Sequence, residues 1–200
     1  MPAVAVNPRA IRAFKKPEAF EAWLRKNHDE AQEIYLRIYK KDSRKLTVTH
    51  AQALDVALCW GWIDGIRKPY DEQSFLQRFS PRRTKSMWSQ NNREHVERLI
   101  AAGRMTPHGL KHIEAAKADG RWEAAYAAAS KMKMPDDLMK AIEAEPRAFE
   151  TFRTLSKQNL YALAFRTGNM KTPGGRAKKI ASFVEMLKRG KTIYPNGKPK

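Results

Sequence analysis

The chain has 200 residues, 42% hydrophobic and 10% aromatic, which excludes a disordered polymer and allows one large domain or two small ones with a core that needs no staples. Its 39 Lys and Arg against 21 Asp and Glu give a formal charge of +18, suited to nucleic acid, anionic lipid or phosphorylated small molecules, or simply to a basic soluble protein. The single cysteine, Cys59, excludes an internal disulfide, and no apolar run approaches the roughly 18 residues needed to cross a bilayer.

Residues 1–16 read as a flexible basic leader without the pattern of a secretory signal, and the chain is expected to be cytoplasmic. Pro17 opens a helix with Phe20, Trp23 and Leu24 on one face. In "EIYLRIY", Ile34, Leu36 and Ile38 alternate with Tyr35, Arg37 and Tyr39, which is strand periodicity. Thr49 and Gln52 have capping-box spacing and start a second helix. "WGWIDGIRK" and "SFLQRFS" then read as two antiparallel strands joined through "PYDEQ".

From Trp88 onward the signals are helical. Asn91 and Glu94 have capping spacing before a face of Val96, Leu99 and Ile100, and Thr106-Pro107 opens a further helix carrying Leu110 and Ile113. "RWEAAYAAAS" reads as a short helix with Trp122 and Tyr126 stacked at i, i+4. Short helices follow "KMKMPDD", and a last one carries Ile180, Phe183 and Leu187. The expected fold is α+β: a small antiparallel sheet (near 33–39, 62–68 and 74–80) with flanking helices in the N-terminal half, and a helical C-terminal half. The expected organisation is an α+β domain over 17–130, a helical region over 131–190 and a flexible tail over 191–200.

Residues 78–93 hold five basic side chains and no acid. Arg82, Arg83 and Lys85 lie between Phe79 and Trp88. Arginine pairs bidentately with phosphate, and tryptophan stacks on flat rings. The candidate ligand-binding set is therefore Trp62, Arg78, Arg82, Arg83, Lys85, Trp88 and Asn92. Against it stands a packed corner, with Trp88 turned inward and the arginines paired to Asp64 or Glu72. Asp64 is the one acid within the tryptophan cluster, either a general base or a partner for an arginine. Cys59 has apolar neighbours and reads as a core thiol. Ser86 and Ser89 read as helix N-caps. His108 and His112 stand at i, i+4 but lack an evident third ligand, so no metal site is assigned, and no cofactor either. "TPGGR" offers backbone N–H groups before a helix but lacks the full phosphate-loop pattern.

The phrases "ALCWGWIDGIRK", "RFSPRRTKSMWSQNN", "VERLIAAGRMTPHGL" and "EAAKADGRW", together with "TPGGRAKKIASFVEMLKRGK", resemble the bacterial YdeI/OmpD-associated family, often labelled bacteriocin-protection proteins. The resemblance runs from about Phe20 to Trp122 and resumes near Thr172. Trp60 stands where the family has phenylalanine. Where the family has Ala-Lys and then Thr-Arg, this chain has Met170-Lys171 and Gly175-Arg176: both cations remain and the threonine hydroxyl is lost. Lys171 and Arg176 form a candidate secondary anion site. The family implies no settled reaction or cofactor.

The leading expectation is a cytosolic binding protein for an anionic ligand, nucleic acid foremost, using the Arg/Trp loop. The alternatives are an enzyme acting on a phosphorylated or nucleotide-like small molecule, with Asp64 as acid/base, and a stress or bacteriocin-protection protein whose basic surface meets an acidic partner.

Overall fold

A computed structural model describes residues 6–126 and 132–196. The chain divides into two compact units, Met1–Ala125 and Tyr126–Lys200.

The first unit is α+β. Its sheet runs in the order β1-β2-β4-β3, with β1 at Ile11–Arg12, β2 at Ile34–Tyr39, β3 at Trp62–Asp71 and β4 at Ser74–Pro81. β2 pairs antiparallel with β4, placing Ile34 opposite Phe79, and β4 returns antiparallel to β3. The three expected strands are therefore present. The sheet is nevertheless mixed, because Ile11 and Arg12 pair in parallel with Tyr35 and Leu36. Part of the expected leader thus completes the sheet. Two residues are too few to display an alternating pattern, so nothing local announced β1.

Helix α1 (Pro17–Asn27) starts at proline and buries Phe20 and Leu24. Helix α2 (His50–Cys59) is opened by the expected reciprocal cap between Thr49 and Gln52. Helix α3 (Gln90–Ala101) is capped by Ser89, whose hydroxyl accepts from the Asn92 N–H, so the cap lies two residues before Asn91. Helix α4 (Pro107–Ala118) begins at Thr106-Pro107 as its sequence dictates. These elements enclose a core that includes Phe20, Leu36, Trp62, Phe79 and Trp88. Ile100, expected on the inner face of α3, is exposed.

The expected helix over 121–130 is not formed in its described part, where residues 121–124 are turns and 127–131 lie outside the described residues. Trp122 instead packs edge-on against Trp88, ring centres 4.9 Å apart. A tertiary aromatic contact overrides the helical spacing.

The second unit contains α5 (Asp136–Glu143), α6 (Pro146–Arg153), α7 (Lys157–Gly168) and α8 (Pro173–Lys188). Leu138, Ile142, Leu163, Phe183 and Leu187 form its core. Gly174 and Gly175 lie in the first turn of α8, where the Gly175 N–H is already taken by the Thr172 hydroxyl at 3.1 Å.

Candidate functional site

The loop after β4 is braced from within. Arg82 is only 5% exposed, and its guanidinium lies 3.6 Å from the centre of the Trp88 ring. One guanidinium nitrogen donates to the Met87 carbonyl at 2.6 Å. Arg121 donates to the neighbouring Ser86 carbonyl at 2.9 Å, and Arg93 donates to the Trp122 carbonyl at 2.8 Å. The arginines that hold this corner thus use backbone oxygens, not Asp64 or Glu72.

Of the residues singled out from sequence, Trp62, Arg82 and Trp88 are buried, although Trp62 also lines a polar cleft. Arg78 is engaged by Glu33, with Nε 2.6 Å from the carboxylate. Asn92 contributes its backbone N–H to the α3 cap. Arg83 and Lys85 are exposed, and among the described residues their side chains make no hydrogen bond or ion pair. The structure therefore brings Trp62, Arg82 and Trp88 into one core and leaves two cations of the loop in solvent.

The remaining candidates are dispersed. Asp64 lies 3.0 Å from His50 Nε2, and both side chains are about a third exposed. In the second unit, Arg176 grips Asp137 through two contacts of 2.6 and 2.8 Å and donates a third hydrogen bond to the Thr167 carbonyl. The Arg176 contact holds the Asp137 carboxyl below the usual carboxylate range, so that anion position is already filled by a side chain. Lys171 is exposed, and its side chain has no partner among the described residues. A groove of about 690 Å³ runs between α5 and α8, lined by apolar Ala141, Ile180 and Val184 with Asp137, Arg176 and Lys188 also at its walls.

The first unit also has a polar cleft of about 280 Å³, lined by His28, Asp29, Trp60, His108, Lys111 and His112. Two glycines create it. Gly61 has φ +73°, and a Cβ there would lie 2.7 Å from the His108 carbonyl and 2.8 Å from the His112 ring. A Cβ on Gly109 would collide with the carbonyls of Leu58 and Cys59. The start of α4 can therefore rest on the end of α2, where the Thr106 hydroxyl donates to the Cys59 carbonyl at 2.6 Å. His108 consequently stacks on Trp60, ring centres 5.6 Å apart and 14° from parallel. His28, just past α1, packs against both rings, with Nε2 3.1 Å from His108 Nδ1 and 3.1 Å from Asp29 Oδ1. Burial, then the charges of Lys111, Arg82 and Arg121, push the His112 pKa down.

A further charged cluster ties α2 to α3. Asp55 accepts from His95 Nδ1 at 2.7 Å and from Arg98 at 2.7 and 2.8 Å. Burial raises its carboxyl pKa, but the Arg98 and His95 hydrogen bonds outweigh that and leave it lowered.

Residues 12–112 match the family described as Domain of unknown function (DUF8412), over half of the chain. Residues 131–190 match the family described as Bacteriocin-protection, YdeI or OmpD-Associated. The chain belongs to the DUF8412 family, and its second unit matches the YdeI/OmpD-associated family model. Comparison with the curated proteins and with the solved structures returned no match. The family expected from sequence is therefore present, but it is located in 131–190, whereas most of the N-terminal phrases that carried the resemblance fall within the DUF8412 span. Among the described residues, no helix is long and apolar enough to cross a membrane.

The DUF8412 unit holds the side-chain group that the sequence reading missed, the pairing of His28 with His108. His28 is 80 residues from His108, and it carries no local motif. Its only sequence signal is an adjacent acid, Asp29, just beyond the end of an amphipathic helix.

Proposed function

We propose that the protein binds an anionic ligand, nucleic acid foremost, on its solvated cationic surface in a reducing cytoplasmic compartment. The observation that carries this reading is the excess of exposed cations without carboxylate partners. Arg83 and Lys85 stand free on the loop after β4, and Lys157, Lys171 and Lys178 are likewise exposed and unpaired in the YdeI/OmpD-associated unit. Residues 126–200 hold sixteen Lys and Arg against six acids. Such cations pair with phosphates and release condensed counterions, which gives affinity without base readout. Trp62 and Trp88 are buried, so the binding relies on charge and not on stacking by these two rings.

The test is binding of the full chain to labelled duplex and single-stranded oligonucleotides across a salt series. Affinity should fall linearly on a log–log plot with a slope of about −0.9 per phosphate contacted on duplex. The charge reversals Arg83→Glu and Lys85→Glu together should weaken binding and flatten that slope. No binding of either oligonucleotide at low salt would overturn the reading.

The bacteriocin-protection description of the second family supports an alternative use of the same surface, contact with an acidic protein partner. The contact between His50 and Asp64 supports the other alternative, acid/base chemistry on a phosphorylated or nucleotide-like small molecule. Asp64→Asn separates them: it removes turnover in an enzyme and leaves surface binding intact.

A further inference from the structure

We propose that His28, His108 and Asp29 bind a divalent transition-metal ion of the zinc, cobalt or nickel class at the cleft of the first unit. His28 Nδ1 lies 3.1 Å from the Leu24 carbonyl oxygen. A carbonyl only accepts, so Nδ1 carries the hydrogen, and the neutral ring presents a lone pair at Nε2. That lone pair does not face a donor alone. It faces His108 Nδ1 at 3.1 Å and an oxygen of Asp29, an obligate acceptor when ionised, also at 3.1 Å. The potential ligand atoms of the three residues all lie within 4.8 Å of one another. His108 Nδ1 can donate a hydrogen to that lone pair, but the Asp29 carboxylate cannot, so the approach of Asp29 to His28 Nε2 is repulsive unless a proton or a metal ion lies between them.

The spacing suits such a cation. Tetrahedral zinc with bonds of about 2.0–2.1 Å holds its ligand atoms roughly 3.3 Å apart. Two imidazoles are borderline donors that, even beside one hard carboxylate, favour late first-row ions over magnesium or calcium. The supporting shell is also in place. The Leu24 carbonyl fixes the His28 ring through its far nitrogen, the usual outer partner of a ligating histidine. Trp60 stacks on the His108 ring, and Gly61 lets α4 approach. Three protein ligands leave a tetrahedral ion one open position, and the cleft with Lys111 and His112 on its wall gives that position room for water or an anion. Asp29 is 77% exposed on its side chain, so it is the ligand that closes last.

A proton on His28 would relieve the same repulsion, and the experiment separates the two. Untagged full-length protein, stripped with a chelator and dialysed, is titrated with Co²⁺ and followed by its visible d–d absorption, with Zn²⁺ as competitor. We expect one equivalent of Co²⁺ in a tetrahedral-type spectrum, displaced by Zn²⁺. His108→Ala should weaken binding at least tenfold with the fold intact by circular dichroism. Asp29→Asn, a change at an exposed side chain, should weaken it as well without altering the melting temperature, and it keeps the test decisive if the histidine variant fails to fold. His95→Ala, in the separate Asp55 cluster, should bind as the parent does. Absence of stoichiometric Co²⁺ binding to the parent overturns the proposal, as does parental affinity in either His108→Ala or Asp29→Asn.

Discussion

The guanidinium carbon of Arg82 lies over the Trp88 ring, 3.6 Å from its centre, with both side chains buried. A cation–π contact of this kind is worth more when desolvated, about 2 kcal/mol, and the arginine stem also fills core volume. Arg82→Ala should therefore lower stability by about 2–4 kcal/mol, since it also leaves a cavity. Arg83→Ala, one residue on and exposed, should change stability by less than about 0.5 kcal/mol. Urea denaturation of the two single variants is the measurement. Equal, small effects would show that Arg82 does not brace the corner.

Gly61 and Gly103 form a matched pair. Their φ values are +73° and +65°, so alanine meets a similar left-handed backbone at each. That conformation costs an L-residue about 1–2 kcal/mol. At Gly103 nothing lies within 4 Å of the added methyl, whereas at Gly61 it meets the His108 backbone at 2.7 Å. Gly103→Ala should lose only the conformational part. Gly61→Ala should lose clearly more and should perturb the His112 ring resonances in NMR spectra.

Burial pushes the Cys59 thiol up to about 11. The thiolate is the reactive form, so at neutral pH the folded protein should react with an alkylating reagent far more slowly than the denatured chain. Labelling followed by intact mass measures the ratio. Equal rates under native and denaturing conditions would place the thiol at the surface.

The lowered carboxyl of Asp55 makes stability depend on acid. A depressed folded-state value means that the unfolded chain binds the proton first. Its contribution is present above the ordinary carboxylate range and is lost as pH falls from that range through the folded value. Asp55→Asn should therefore be less stable than the parent at neutral pH, and the gap should narrow as the solution is made strongly acidic. Thermal melts at several pH values check the sign.

Local chemistry was readable where the cause is local. The Thr49–Gln52 cap and the Thr106-Pro107 start are set within four residues, and the structure has both. The alternation of Ile34, Leu36 and Ile38 likewise yields β2. What escaped was set by partners far along the chain. Whether Arg82 points out to phosphate or in to Trp88 depends on where Trp122 and Arg121 come to rest, and a basic run reads the same in both cases. The stacking spacing of Trp122 and Tyr126 lost to the contact between Trp122 and Trp88 for the same reason. His28 acquires its neighbours only when two glycines let α4 close on α2. The site was thus less visible than the fold.

Strand β3 ends the sheet on one side, and a sheet end is where unrelated chains attach and aggregation begins. Its pairing to β4 is irregular between Asp64 and Arg67 and again between Pro69 and Asp71. Proline cannot donate a main-chain hydrogen bond, and Arg67 and Lys68 add like charge along the same strand. An incoming strand would find an interrupted row of donors and a repulsive flank. The margin of the sheet is thereby made a poor template for an incoming strand.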